Sequence, residues 1–339
     1  MSTPTISDVA RIAGVGKTSV SRFLNGELDA LSPALRERIG AAIATLSYRP
    51  NQMARGLKRG RTRLIGILVA DLQNPYSVSV MQGMEFACRQ LGLMPMVCNA
   101  GNEIEVENRF LDLLRTYRAE GLIVNPVGLP ESALHTITDG DIPVVLLDRT
   151  VAGVACDSVG LDNEGASHVI VDHLVDAGFT AICFVSESFA SVSSRREREG
   201  AFVEGSTRRG VTARTLVLES HLPETVNAVM DEISKVAAHE AKAEHGRTAI
   251  IAANGQTMLL LAIALLRHPL PGVGLACFDD PEWVALTQPG VTTLRQPTFD
   301  IGSRAVHFLN ERIDGSTVAP RVETFPAQLI VRSSTQART

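Results

Sequence analysis

The stretch TISDVARIAGVGKTSVSRFLNG, residues 5–26, decides how the N-terminal part of the chain folds. Thr5 and Asp8 have the spacing of a capping box, in which each residue hydrogen-bonds the backbone of the other at the start of a helix. Apolar residues then recur at helical spacing up to Ala13, and Gly14 stands where a chain leaves a helix with positive φ. The pattern predicts a first helix that begins near residue 6 and ends at Ala13 or Gly14.

Two more helices follow in the predicted head. The three-residue turn Gly14–Gly16 leads into Lys17–Leu24, whose apolar residues fall on one side and whose polar residues fall on the other. This is the layout of a recognition helix in a helix-turn-helix. Ser32 then offers an N-cap and Pro33 suits the first helical position of a third helix. Three short helices are therefore predicted for residues 1–49.

Gly16-Lys17-Thr18 also resembles the end of a phosphate-binding loop, G-x-x-x-x-G-K-[ST]. The position of the first glycine of that motif is taken by Arg11. A phosphate loop should also follow a buried strand, whereas the preceding residues have the pattern of a capped helix. The sequence therefore favours the helix-turn-helix over nucleotide binding.

Charge is distributed unevenly along the chain. Residues 1–63 hold 11 Lys or Arg and 4 Asp or Glu, a formal charge of +7, whereas residues 64–339 hold 21 and 33, a formal charge of -12. A compact cationic segment on an acidic body suits a polyanionic partner, because each neutralised phosphate releases condensed counterions. The alternative is a basic surface with no such partner.

Residues 48–63, YRPNQMARGLKRGRTR, resemble a hinge between two parts of the chain. The short helix predicted here is marginal on its own, since nucleation is costly, and we expect it to order on DNA or against a partner chain. Leu57 is surrounded by basic residues, which suits phosphate contact with an apolar wedge between base pairs. The alternative is that Leu57 is a linker residue packed on the following domain.

From residue 63 onward, apolar strand-like runs alternate with helical stretches, which is typical of buried parallel strands. Two doubly wound α/β lobes are implied. The runs are LIGILVA, MPMVC, GLIVN and PVVLLD before residue 150, and AICFV, TLVL, TAIIA and VGLACFD after it.

Several classes of protein are disfavoured by the sequence. The longest apolar runs fall short of a membrane-spanning helix, and no secretory signal is visible, so a cytoplasmic protein is expected. The five cysteines are spread out, which disfavours a disulfide framework or a zinc site, and no metal or cofactor is expected. An α/β enzyme with a DNA-binding head lacks G-x-G-x-x-G, G-x-S-x-G and H-E-x-x-H motifs. A secreted solute-binding protein conflicts with the basic head.

Residues 5–26 closely resemble the head of the lactose-repressor (LacI/GalR) family through A-G-V, S-V-S-R and L-N-G. The body is similar to that family's sensor through DLQNPY, VVLLDR, GLDNEG, FDD and QPGVTTLRQP. The resemblance implies a helix-turn-helix head on a two-lobed sensor similar to periplasmic binding proteins. The implied ranges are 1–49 for the head, 50–62 for the hinge and linker, 63–159 with 291–320 for one lobe, and 162–288 with 325–339 for the other, with crossings near 158–162, 288–292 and 318–326.

The same resemblance assigns residues of the head and hinge to double-stranded operator DNA. Arg22 can offer two donors to guanine, and hydroxyls or amides on the helix flank can position the backbone. A solvated helix face is the alternative. The implied base-facing residues are Lys17, Thr18 and Arg22; the phosphate-facing residues are Thr5, Ser19, Ser21 and Asn25; the hinge residues in the minor groove are Asn51, Ala54 and Leu57.

The resemblance also implies an effector site between the lobes, in a repressor that acts as a homodimer. The implied residues are Tyr76, Asp148, Arg149, Arg198, Asn254, Asp279 and Trp283. Two arginines there suggest a ligand with an acid group, and D-D-P-E-W together with the head is most similar to regulators of gluconate and 2-ketogluconate use. The alternatives are a structural ion pair between Asp148 and Arg149, a helix-capping role for Asp279, and a core position for Trp283.

Overall fold

A computed structural model describes residues 4–49, 61–127, 142–151, 153–189 and 192–336. The chain divides into two compact units, Met1–Thr62 and Arg63–Thr339. Within the described ranges, no helix combines the length and apolar character that crossing a bilayer demands.

The first unit, the head, contains the three predicted helices. They are α1 (Ile6–Ala13), α2 (Lys17–Leu24) and α3 (Pro33–Leu46), with a 3-10 turn at Leu28–Ala30. Their apolar faces meet in a small core that includes Val9, Val20 and Ile39.

The predicted start and end of α1 are confirmed. The Thr5 hydroxyl accepts a hydrogen bond from the Asp8 N–H at 3.4 Å, and the Thr5 N–H donates to Asp8 Oδ2 at 3.0 Å. Gly14 is left-handed, with φ of 62°, and Arg38 Nη2 donates to the carbonyl oxygens of Ala13 and Gly14. Because Gly16 follows a helix rather than a strand, the phosphate-loop interpretation is wrong.

In the second unit, six strands form a fully parallel sheet that defines the first lobe. Its order is β11-β5-β4-β3-β1-β2. The strands are β1 (Leu64–Val69), β2 (Met94–Asn99), β3 (Gly121–Val124), β4 (Val144–Leu147), β5 (Asp157–Leu161) and β11 (Val322–Phe325). The helices packed with this sheet are α4 (Pro75–Leu91), α5 (Ile104–Thr116) and α10 (Thr298–Ile313).

The second lobe has the same architecture. Its sheet has the order β12-β10-β9-β8-β6-β7, and only the edge pair of β12 with β10 is antiparallel among the described strands. The strands are β6 (Ala181–Glu187), β7 (Thr212–Leu218), β8 (Thr248–Ala252), β9 (Gly274–Phe278), β10 (Thr292–Arg295) and β12 (Gln328–Ile330). The helices are α6 (Asn163–Asp176), α7 (Ser193–Arg209), α8 (Pro223–Glu240) and α9 (Gly255–Arg267).

The chain passes between the sheets at Asp162, at Gln296–Pro297 and at Pro326–Ala327. The sequence boundary that starts the return to the first lobe at 291 is wrong, because β10 pairs with β9 in the second sheet. The return begins only after Arg295. A short strand of four residues carries little periodicity, so its sheet could not be assigned from the sequence.

Candidate functional sites

A cleft lies at the carboxyl ends of the parallel strands of both sheets, where ligands bind in open α/β folds. Polar side chains from both lobes line two small cavities of about 30 and 60 Å³ in this cleft. Both volumes are well below the ~300 Å³ at the lower end of small-molecule pockets. Tyr76, Asp148 and Arg149 of the first lobe and Arg195 of the second line both cavities.

Tyr76 lies in the first turn of α4. The side chain of Asn74 caps this helix by accepting a hydrogen bond from the Tyr76 N–H at 3.0 Å. The Tyr76 ring is buried, and its hydroxyl has no hydrogen-bond partner among the described residues. Burial raises the pKa of Tyr76 well above its usual value, and the charge of Asp148 adds to the rise. The hydroxyl therefore stays protonated and can donate or accept.

Asp148 follows β4 with a left-handed backbone, φ 62°, which is uncommon for a residue other than glycine. Its N–H donates to the carbonyl of Val159, which holds the turn against β5. Asp148 Oδ2 accepts a hydrogen bond from Ser194 at 3.2 Å, and Oδ1 lies 4.0 Å from Arg198 Nη2. Asp148 thus pairs across the cleft with Arg198, and this pairing differs from the alternative ion pair with its neighbour Arg149.

Arg149 is held by the backbone, since its Nη1 donates to the carbonyl of Pro126 at 2.7 Å. Its Nε is buried and has no hydrogen-bond partner among the described residues. Burial lowers the pKa of Arg149 below its usual value, although Asp148 opposes this effect. A guanidinium keeps its proton in proteins, so Arg149 supplies positive charge to the cleft.

Arg198 is the central cation of the cleft. Its Nε donates to Asn163 Oδ1 and its Nη1 to the carbonyl of Ala253, both at 2.7 Å. The guanidinium also lies over the Phe278 ring, 4.5 Å from the ring centre. These contacts fix the plane of a buried side chain.

Asn254 and Asp279 meet at the start of α9. Asn254 caps this helix by accepting from the Thr257 N–H at 2.7 Å, and Asp279 Oδ2 accepts from the Gly255 N–H at 3.0 Å. Asp279 therefore has the capping role that was the alternative, and it also lines the cleft. Burial raises the pKa of Asp279 above its usual value, while Arg198 opposes the rise.

The structure adds cleft residues that sequence reasoning missed. Arg195 lies one helical turn before Arg198, on the same side of α7, and this spacing was a signal that could have found it. Gln296 donates to Asp279 Oδ1 at the crossing between lobes, and Glu187 ends β6. A polar residue at the end of a buried strand was the signal for Glu187.

Trp283 lies away from the two cleft cavities, in contrast to the sequence prediction that it lines the effector site. It belongs to a 3-10 turn, Glu282–Ala285, and is absent from the residues described around either cleft cavity. Its indole packs against the apolar core of the second lobe that contains Val284. Trp283 is half-buried there, in agreement with the alternative of a core position.

The candidate DNA-reading surface lies on α2. Lys17, Thr18 and Arg22 are exposed, whereas Ser19 and Ser21 are half-buried at its flanks. Arg22 has one weak ion pair, with its Nε 4.0 Å from Glu27 Oε2 and both side chains about half exposed. Asn25, half-buried at the C-cap, donates to Glu27 at 3.2 Å, and Thr5 is engaged in the capping box. Asn51, Ala54 and Leu57 lie outside the described residues.

Known proteins match this chain along nearly all of its length. The family described as "Bacterial regulatory proteins, lacI family" matches residues 5–51, and a periplasmic binding protein-like domain matches residues 171–335. The HTH-type transcriptional regulator PtxS of Pseudomonas putida is 44% identical over 98% of this chain and 96% of its own length. The chain belongs to the LacI family. The HTH-type transcriptional regulator KdgR of Bacillus subtilis is also similar, with 37% identity over 97% of both chains.

The fold of this LacI-family chain is also that of solved structures. A crystal structure of the lac repressor dimer bound to operator and the anti-inducer ONPF has a TM-score of 0.82, 24% identity, and coverage of 99% of this chain and 100% of that one. The relatives are transcriptional regulators, so the chain is a regulator of this family and not an enzyme. Within the described ranges, no three His, Cys, Asp or Glu are grouped to hold a metal ion.

Proposed function

We propose that this LacI-family regulator is a cytoplasmic repressor whose affinity for operator DNA is controlled by a sugar acid, of the gluconate or 2-ketogluconate class, bound between the lobes. Two separate surfaces of the protein have these two functions. The α2 surface reads DNA, and the cleft senses the acid. Linkage makes the two affinities change each other by the same factor.

One observation carries the effector site. Four buried polar atoms without hydrogen-bond partners among the described residues belong to residues that line the same cavity: Tyr76 Oη, Asp148 Oδ1, Arg149 Nε and Gln296 Oε1. Buried polar groups are normally satisfied, and an unsatisfied one points to a ligand or water. The set offers acceptors for hydroxyl groups and a donor for an oxygen, which fits a polyhydroxy ligand.

The charge of the cleft supports an acid group on that ligand. Arg149, Arg195 and Arg198 approach the cavity, and arginine is the residue best suited to a planar carboxylate. Their charges are opposed by Asp148 and by Glu187, so a neutral sugar would also find acceptors there.

DNA binding is supported by the exposed polar face of α2. Lys17, Thr18 and Arg22 project from the helix that the family inserts into the major groove, and Thr5, Ser19, Ser21 and Asn25 flank it. Insertion of Leu57 into the minor groove, with Asn51 and Ala54 beside it, belongs to the same proposal and rests on the sequence alone.

A homodimer is part of the proposal, because one head reads few base pairs and paired heads suit a nearly palindromic site. The second lobe offers an apolar groove of about 890 Å³ beside two leucines that are almost fully exposed, Leu266 at 84% and Leu286 at 83%. Apolar side chains so exposed are costly in water, and burial against a second copy removes that cost.

Titration of the full-length protein with gluconate, 2-ketogluconate and glucose, followed by calorimetry, tests the effector. We expect binding of at least one acid, weaker binding of glucose, and a change in operator affinity when the acid is present. Equal affinity for glucose would contradict the acid assignment.

Arg22→Ala tests the reading surface. We expect the preference for operator over unrelated DNA to fall by about tenfold or more, since one bidentate base contact contributes about 1–3 kcal/mol. Arg208→Ala removes the same charge from the outer face of the sensor, where Arg208 pairs with Asp172, and serves as the control. An unchanged preference in Arg22→Ala would remove Arg22 from base reading.

A further inference from the structure

Glu187 is surrounded by donors from three other segments of the second lobe. Its Oε2 accepts hydrogen bonds from Arg195 Nη2 and from Asn254 Nδ2, the latter at 3.0 Å. Its Oε1 lies 3.1 Å from His221 Nε2, which must be the donor because an ionised carboxylate only accepts. We refer to Arg195, Asn254 and His221 as the carboxylate seat.

The carboxylate seat faces the effector cleft. Arg195 lines both cleft cavities, Asn254 lines the smaller one, and His221 lines the larger one together with Glu187. Tyr76 and Asp148 of the first lobe line the same cavities. The carboxyl group of Glu187 therefore lies where the acid group of a bound effector would find a complete set of donors.

The other two arginines of the cleft also have acceptors within the protein. Arg198 donates to Asn163 and to the carbonyl of Ala253, and its Nη2 faces Asp148. Arg149 donates to the carbonyl of Pro126. Arg195 also donates to a backbone carbonyl, that of Ser188 at 2.8 Å, but its Nη2 pairs with Glu187, a side chain that can rotate away without any movement of the backbone.

We propose that the carboxylate seat is the acid-binding subsite of the cleft, and that Glu187 is a resident competitor which the carboxylate of the effector displaces. This inference rests on the proposed sugar-acid effector and deepens it. An acid replaces the ionic contacts that Glu187 gives up, whereas a neutral sugar cannot. Competition of this kind favours acids over neutral sugars, and it lowers the affinity of the cleft for the acids themselves.

Glu187→Gln tests the competition, because glutamine keeps the shape of the side chain and loses its charge. We expect the full-length variant to bind gluconate or 2-ketogluconate about tenfold more tightly than the unaltered protein, as a charged hydrogen bond contributes about that factor. The gain in affinity should be larger for the acid than for glucose. Asp172→Asn neutralises a carboxylate that pairs with Arg208 and Arg209 away from the cleft, and its acid affinity should match that of the unaltered protein.

Arg195→Gln is the second variant, and it should weaken acid binding about tenfold and weaken glucose binding by a smaller factor. Acid affinity that is unchanged or weaker in Glu187→Gln would overturn the inference, since Glu187 would then hold Arg195 and Asn254 in place for the ligand.

A failure of the proposed function is distinguishable from a failure of this inference. If the unaltered protein binds no acid but Glu187→Gln binds gluconate, the sugar-acid function is wrong and the subsite is supported. If neither protein binds an acid, both are overturned. Melting curves of both variants establish that they are folded before the titrations are compared.

Discussion

Arg198 Nη2 and Asp148 Oδ1 lie 4.0 Å apart, and the two residues belong to different lobes. Their side chains are only 7% and 10% exposed. Two hydrogen bonds cross the same boundary, from Ser194 to Asp148 and from the Thr150 N–H to Ser193. A buried ionic contact with neighbouring hydrogen bonds therefore holds the sensor lobes closed.

Asp148→Asn should loosen this closed arrangement. Breaking a buried pair by removing one charge leaves the other uncompensated, so the open arrangement, in which Arg198 reaches water, becomes relatively more favourable. We expect a larger radius of gyration in X-ray scattering without ligand, and acid affinity at least about tenfold weaker by calorimetry. Glu232→Gln, which affects only an exposed pair with Lys235, is the control. An unchanged radius together with unchanged affinity would contradict the role of this pair.

Gly302→Ala should destabilise the first lobe. A Cβ at this position would lie 2.1 Å from the carbonyl oxygen of Val80, because α10 and α4 pack backbone to backbone there. We expect the free energy of unfolding in urea to fall by about 1–3 kcal/mol. Gly200→Ala on α7 has no atom within 4 Å of the new Cβ, and it should stabilise by about 0.5–1 kcal/mol through helix propensity. Equal stability of the two variants would be incompatible with this packing.

Asp157 should make sensor stability depend on pH. Burial alone would raise its pKa, but hydrogen bonds from Arg312 and Arg321 outweigh burial and hold the pKa well below its usual range. A carboxyl with a depressed folded-state pKa stabilises the fold above the unfolded pKa of about 4 and loses that contribution as the pH falls further.

Asp157→Asn should therefore cost about 3 kcal/mol of unfolding free energy at pH 7, because two arginines lose a buried partner. The difference between the unaltered protein and the variant should shrink as the pH falls below about 4. Denaturant unfolding at several pH values measures both effects. A difference that stays constant with pH would contradict the depressed pKa.

Leu286→Asp should disrupt self-association. A charge on a leucine that is 83% exposed beside the apolar groove should leave the folded monomer intact and make burial against a second copy unfavourable. We expect monomers in sedimentation and weaker operator binding. Val318→Asp, at another exposed apolar residue, should retain the oligomeric state. A variant that still sediments as a dimer would show that Leu286 lies outside the interface.

Most of the predicted fold was derived from sequence patterns that lie within a few neighbouring residues. The capping box of Thr5 and Asp8, and Pro33 at the start of α3, act within one helical turn, so adjacent residues suffice to identify them. The buried strands could be found because parallel strands covered on both faces are continuously apolar. The short strand β10 was not assigned to the correct lobe, because a sequence of four residues does not reveal which sheet the strand joins.

For the same reason, the sequence identified some residues of the effector cleft and missed others. Asp148 and Asp279 follow recognisable strands and match family motifs, and the structure places both at the cleft. Glu187 and Arg195 carry no motif, and Gln296 lies in QPGVTTLRQP without a role that the motif assigns to it, so all three became apparent only when three segments met. The effector role of Trp283 stays a prediction, since its ring packs against the core of the second lobe and lines neither cavity.

The sequence by itself determined the helix-turn-helix, the basic head on an acidic body and the two α/β lobes, because capping, periodicity and charge are properties of neighbouring residues. Only the tertiary structure decided that Asp148 pairs with Arg198 across the lobes, and that Glu187 lies among the donors of Arg195, Asn254 and His221. Those contacts join residues between 8 and 67 positions apart, and the strand order that brings them together depends on how whole sheets bury their surfaces.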